Sequence, residues 1–345
     1  MNDAAEQYVR LVLAMGEHDA DYVDSYYGPA AWREEVRAAK PSLETIHASA
    51  IALQEMLAKI DRPEDAIESL RLDYLRRQTD ALITRAEMLE GRRLTFDEES
   101  QALYDAVAPT HGEDYFRALN AAIDQELPGN GPLAARVEAF RAQFVIAREK
   151  LDAVFSAAID VCRTMTMAHM PLPPDESFTV EYVNGKSWSG YNWYQGHYRS
   201  LIQVNTDLPI FIDRAIDLAC HEGYPGHHVY NALLEQKLVR ERGWVEFSVY
   251  ALFSAQSLIA EGSANYGIDV AFPANERVAM EQETLFPIAG LDAARASQYY
   301  RVYELISRTS YAGNDAARLY LDGKITADDA AEWLTTYALM EPARA

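Results

Sequence analysis

Asp217-Leu218-Ala219-Cys220-His221-Glu222-Gly223-Tyr224-Pro225-Gly226-His227-His228 gathers three of the chain's eight histidines beside a glutamate, at the end of an apolar helical run. A histidine pair with an adjacent glutamate is the donor set of a hydrolytic zinc site. Neutral imidazoles hold Zn2+ without cancelling its charge, so the ion acidifies a bound water, and the glutamate accepts that water's proton. The usual helical spacing, H-E-x-x-H, sets both rings on one face a turn apart. Here His227 and His228 follow His221 by six and seven residues, which in an unbroken helix means about 9 and 10.5 Å along the axis. Two nitrogens on one zinc lie only roughly 3–3.5 Å apart. Pro225-Gly226 supplies a way out, because the Pro225 ring clashes with the carbonyl of His221 and forces a kink or bulge. A bulge that takes up two residues brings His227 to the place of the second histidine. His227 is therefore preferred as ligand, with His228 as the alternative.

A third ligand has to come from a neighbouring element. Between Glu246 and Asp269 the chain has one charged or imidazole side chain, Glu261, within an otherwise uncharged helical run, 34 residues after His227. A lone carboxylate costs several kcal/mol to bury unless it is paired or binds metal, which makes Glu261 the expected third ligand.

These residues carry a resemblance. His221 to His228 resembles the HExxPGHH signature of a bacterial domain-of-unknown-function family (number 885) grouped with zincin-like metallopeptidases. Glu261-Gly262-Ser263-Ala264-Asn265-Tyr266 is similar to that family's EGWALY segment at Glu261, Gly262, Ala264 and Tyr266, with Ser263 in place of the Trp. Other zincins with a glutamate third ligand often carry an acid four residues later, where this chain has Asn265. The resemblance implies a mainly α fold with a small antiparallel β-sheet, in a zincin-like metallopeptidase architecture. It implies one zinc ion on His221, His227 and Glu261, with Glu222 as general base. It also implies a peptide or small amide substrate lying along an edge strand, with Gln203 and Asn205 of the segment 202–206 as contacts. For the oxyanion, His228 is the first choice. Tyr224 and each member of the cluster Tyr299, Tyr300, Arg301 and Tyr303 are further candidates, Tyr224 and Tyr300 also as substrate contacts. His197, between two strands, is a further substrate-contact candidate.

The surrounding chain reads as helix before Pro171-Leu172-Pro173-Pro174 and as sheet then helix after it, giving a helical region 1–172 and a catalytic region 173–345 packed as one unit. Amphipathic runs cover 42–60 and 64–90, Thr95-Phe96-Asp97-Glu98 is a capping box opening a helix to about Val107, and Pro132 starts a helix running to about Met170. Asn184-Gly185, between 178–183 and 186–194, is the strongest short hairpin signal, and a third strand covers 198–205 after Gln195-Gly196. Later breaks are expected at Pro225-Gly226, Gly243, Pro273 and Pro287, and Thr326 is expected to cap the last helix.

Composition sets the exclusions. In 345 residues, Gly and Pro together are about 9% against roughly 12% in average usage, which favours long helices. A net charge of −22 repels phosphate backbones and anionic lipid, so neither nucleic acid nor membrane is expected as a partner, and in the cleft it would favour neutral or cationic peptides. Two cysteines, Cys162 and Cys220, are too few for a disulfide framework, and Cys220 reads as a small core residue. The first residues form an amphipathic helix and no window suits a transmembrane span, so the expected location is cytoplasmic. Two other classes compete with the hydrolase. A non-haem iron enzyme on two histidines and a carboxylate leaves Glu222 without a role. A helical binding module would have a structural or inactive metal site.

Overall fold

The chain begins with α1 (Asn2–Met15), β1 (Val23–Tyr26), α2 (Ala30–Ala39), α3 (Leu43–Ala58), α4 (Ala66–Leu89) and α5 (Phe96–Tyr104) in a computed structural model that describes residues 1–273 and 276–341. α3, α4 and α5 each start on a side-chain cap. Ser42 accepts from the Thr45 amide, Asp65 from Ile67 and Glu68, and Thr95 forms the expected capping box with Glu98. α5 stops at Tyr104, earlier than expected, because Asp105 turns into the left-handed region. Tyr8, Val12, Leu53, Leu57, Leu72 and Leu75 bury a first core, which Val249 and Ala251 from a distant strand complete.

α6 (Glu113–Glu126), α7 (Leu133–Arg141) and α8 (Leu151–His169) follow. The helix expected from Pro132 to Met170 is thus two. Between them the chain leaves the helix so that Val145 bridges Phe211 and the Ile146 amide bonds to the Ile210 carbonyl at 2.8 Å, which buries Phe144 against Tyr299 and Phe286.

β2 (Ser177–Val183), β3 (Gly190–Gly196) and β4 (Arg199–Asn205) form a sheet in the order β2-β4-β3. β3 and β4 are antiparallel, whereas β2 runs parallel to β4. The hairpin expected at Asn184-Gly185 does not form. Asp207 accepts from the Asn184 side chain and the Gly185 amide, and the chain passes the end of β4 to become the far edge. The true hairpin turn is His197-Tyr198, both with positive φ. That geometry ordinarily selects Asn-Gly. Here the buried Glu235 carboxylate accepts from both backbone amides, at 3.1 and 3.3 Å.

The remaining elements are α9 (Ile212–Leu218), a π-helical turn (Ala219–Gly223), α10 (His227–Leu234), a second π-type turn (Glu235–Arg240), β5 (Val249–Ala251), α11 (Ala255–Ala271), α12 (Glu276–Met280), a third π-type turn (Glu281–Leu285), α13 (Phe286–Ala289), α14 (Ala296–Thr309), α15 (Tyr311–Leu321) and α16 (Ala327–Tyr337). Thr326 caps α16 as expected, reciprocally with Asp329. Pro287 does not break its helix. The wider turn just before it leads directly into α13, and the helix ends at Gly290 in the left-handed region.

The chain is mainly helical with a small sheet, and β5 pairs antiparallel with β1. Pro171–Pro174 marks a change of element but not of core. A second core takes Phe144, Val154 and Phe155 from before it and Ile202, Ile216 and Phe286 from after it. Arg71 and Glu246 form a buried ion pair at 2.5 Å, and Tyr74 donates to Gln256. Cys162 and Cys220 are joined as a disulfide, Cα–Cα 5.8 Å, which ties α8 to the π turn. This corrects the expectation of an unpaired core cysteine, and such bonds persist where the surroundings are oxidising. No helix among the described residues is long and apolar enough to cross a membrane.

Candidate metal centre and its cleft

Helical hydrogen bonding widens after α9. The Tyr224 amide bonds to the Ala219 carbonyl at 3.0 Å and the Gly226 amide to the Cys220 carbonyl at 2.9 Å, around a cis Tyr224–Pro225 peptide. Backbone presses on backbone here. A Cβ on Gly226 would lie 1.8 Å from the His221 carbonyl oxygen and 2.4 Å from that of Cys220, so only glycine fits. α11 closes over the turn through Gly267, where a Cβ would meet the Pro225 ring at 2.7 Å.

The detour shortens the distance between the two histidines as the sequence required. His221 Nε2 and His227 Nε2 lie 3.1 Å apart, and Glu261 on α11 reaches them at 3.4 and 3.2 Å. These separations match donors converging on one zinc ion (roughly 3–3.5 Å). The Glu261 side chain is 50% exposed, so burial does not single it out as the sequence reading supposed; its meeting with two imidazoles does. Asn265 Oδ1 lies 3.1 Å from His221 Nδ1. With Nδ1–H donating to that oxygen, the Nε2 lone pair faces Glu261 and His227.

Glu222 lies buried in the same cleft, and its backbone carbonyl accepts from Asn192 Nδ2 at 2.6 Å. Burial raises the pKa of its carboxyl, against the opposing pull of His227 and His221. Hydrogen bonds from His221 and His227 hold Glu261 well below the carboxylate range. Burial alone would lower the pKa of His221, but Glu261, Glu222 and Asn265 hold it above the usual value.

The cleft has a volume of about 1070 Å³. Several of its walls were not foreseen. Asp24 reaches it from β1 and accepts a hydrogen bond from Tyr191 of β3; burial, only partly offset by Tyr191, raises its pKa to about 6. Tyr250, Arg214, Asp217 and Arg277 also line it. Arg214 and Asp217 could have been found from helical spacing, as both lie within two turns of His221; Asp24 carries no local signal.

Two of the other residues proposed from sequence line the cleft: Tyr303, whose hydroxyl donates to Asp217 at 2.8 Å, and Asn205. Asn205 acts on the wall, its Nδ2 donating to the carbonyls of Lys186 and Trp188 at 2.9 and 3.0 Å. His228 points the other way and is fully buried, Nδ1 on Ser200 Oγ and Nε2 on Glu176 Oε2, each at 2.9 Å. Tyr224 donates to the same Glu176 at 2.6 Å. Burial pushes the Glu176 pKa up, but hydrogen bonds from His228, Tyr224 and Arg163 outweigh it and hold the pKa below the usual value. His228 is therefore a packing and hydrogen-bonding residue beneath the sheet, because consecutive helical residues face about 100° apart. Tyr300 donates to the buried Glu281. His197 is the hairpin-turn residue, its Nδ1 beside Arg240 at 3.0 Å. Gln203 lies on the outer face of the sheet, between Trp193 and Glu181. β4 is the central strand, so the 202–206 segment cannot be an edge; β3 is the edge that borders the cleft.

No known protein family has a model that matches this chain, and no curated protein matches it. Among solved structures, the chain is similar to one described as "the putative lipoprotein from Colwellia psychrerythraea", at 15% identity and a TM-score of 0.47. That match covers 88% of this chain and 56% of the other, so the chain spans little more than half the length of that protein.

Proposed function

We propose that the protein is a zinc-dependent hydrolase of peptide or related amide bonds, with a zincin-like arrangement of its metal ligands. The observation that carries this is the meeting of His221 Nε2, His227 Nε2 and a Glu261 oxygen, all within 4.8 Å of one another, beside the buried Glu222. The resemblance of residues 221–228 to the HExxPGHH signature supports the same reading.

His221, His227 and Glu261 would hold the ion, and Asn265 keeps the His221 ring in the tautomer that presents Nε2. A bound zinc ion supplies a Lewis acid that polarises the scissile carbonyl and acidifies water. Glu222 accepts a proton from the attacking water and delivers it to the leaving nitrogen; its raised proton affinity suits both halves of that task. The free edge of β3 gives an extended substrate main-chain hydrogen bonds.

Glu222→Gln is expected to lower hydrolysis of a peptide library by about 10²–10⁴-fold while zinc is still bound, as read by metal analysis of the purified variant. Cleavage at the wild-type rate would sink the proposal, and iron with oxygen consumption would replace it by an oxygenase.

A further inference from the structure

We infer that Arg214 and Lys186 form a carboxylate subsite at one end of the cleft, so that the substrate class is short peptides or amides with a free carboxylate about two or three residues from the scissile bond. The substrate statement rests on the hydrolase reading, and the subsite itself rests on the geometry of the two cations.

Arg214 precedes His221 by seven residues on the same helical path, close to two full turns, and both line the cleft. That places them on one side, about 10 Å apart along the axis, a span that extended peptide covers in about three residues. A guanidinium has five N–H donors. On Arg214 one of them meets Ser189 Oγ at 3.0 Å. The nearest carboxylate, Asp217, stands at 3.7 Å, beyond hydrogen-bond distance, and is held by Arg277 and by the Tyr303 hydroxyl, each at 2.8 Å. Arg214 therefore has one long ion pair, to a carboxylate already shared with Arg277 and Tyr303, and keeps N–H donors to spare.

Lys186 lies three residues before Ser189 on the loop whose carbonyls Asn205 pins. Among the described residues Lys186 makes no ion pair, and its ammonium stands 5.7 Å from the Trp188 ring. The third cation of the cleft, Arg277, is fully engaged by Asp217 and Glu281. In a chain of net charge −22, a cleft with one cation that makes no ion pair and another whose only pair is the 3.7 Å contact with Asp217 suits an anion that arrives with the ligand. A planar guanidinium and a point-charge ammonium lining the same cleft suit a carboxylate. Near the site, these two side chains reverse the preference for neutral or cationic peptides that net charge alone suggests.

The test uses zinc-loaded Glu222→Gln protein and calorimetric titration at low salt with three tripeptides: trialanine as free acid, trialanine amide, and Ala-Ala-Glu amide. The free acid is expected to bind about tenfold more tightly than trialanine amide, the size of one charge-assisted contact. Adding Arg214→Gln or Lys186→Gln should shrink that ratio, with melting curves confirming that each variant is folded. If Ala-Ala-Glu amide recovers the affinity in an Arg214-dependent way, the subsite takes an acidic side chain; if only the free acid does, it takes a chain terminus. Equal binding of acid and amide overturns the subsite. So does a preference that survives both substitutions, since the carboxylate is then meeting the metal. Wild-type protein that shows the Arg214-dependent preference but cleaves nothing would remove the hydrolase reading alone.

Discussion

A methyl group at position 226 would stand 1.8 Å from the His221 carbonyl oxygen, well inside van der Waals contact, and neither atom can yield without moving the backbone that spaces the two imidazoles. Gly226→Ala should therefore weaken zinc binding by at least about tenfold and lower the melting temperature in the same variant. Competition with a chromophoric chelator, run beside thermal unfolding, reads both; unchanged zinc affinity would show that the turn does not set the spacing. Residue-level chemistry was legible where it was local. Three histidines, a glutamate and a Pro-Gly pair in one stretch mark where two imidazoles come together and why the chain needs a detour to bring them there. Glu261 was reached for the wrong physical reason, since it is half exposed. His228 was misplaced because adjacency in sequence hides the turn between neighbouring helical faces.

At the scale of elements, two of the three π-helical turns lie next to a proline, one before Pro225 and one before Pro287, while Glu235–Arg240 has none. Sequence marks both prolines as breaks, but only the packing around each decides whether the chain turns or continues. The sheet shows the same limit. Asn184-Gly185 has the better turn chemistry, yet the hairpin closes at His197-Tyr198 because Glu235, almost forty residues later, accepts from its two amides, from Tyr194 and from Arg240. That partner cannot be read from the hairpin's own residues. Glu235→Ala leaves buried donors without an acceptor and should cost about 2–3 kcal/mol, measurable by urea unfolding. A loss under about 0.5 kcal/mol would mean that the turn holds without it.

For the whole molecule, helical content was legible because stripes and caps are short-range signals, whereas the assembly of the cleft was not. Asp24 enters it only because β1 pairs with β5, more than two hundred residues away. Its folded pKa of about 6, raised mainly by burial from 3.8, gives a test with a defined sign. Between those values the folded protein holds a proton that the unfolded chain has lost. The Asp24 contribution is therefore complete below pH 3.8 and is lost as the pH rises through 6. In metal-free protein, Asp24→Asn should gain melting temperature relative to wild type as pH goes from 4 to 7; parallel curves would count against it.

α11 begins against the first core, where Gln78 holds Ser254 and Gln256, and ends in the second, through Ala271. Its Glu261 therefore comes from a helix that spans both cores, while both histidines stand on elements of the second. An ion held by all three would act as a gauge between two halves of the protein. Any substitution that shifts one core against the other, however far from the cleft, would register as a change in metal affinity before it registered as unfolding.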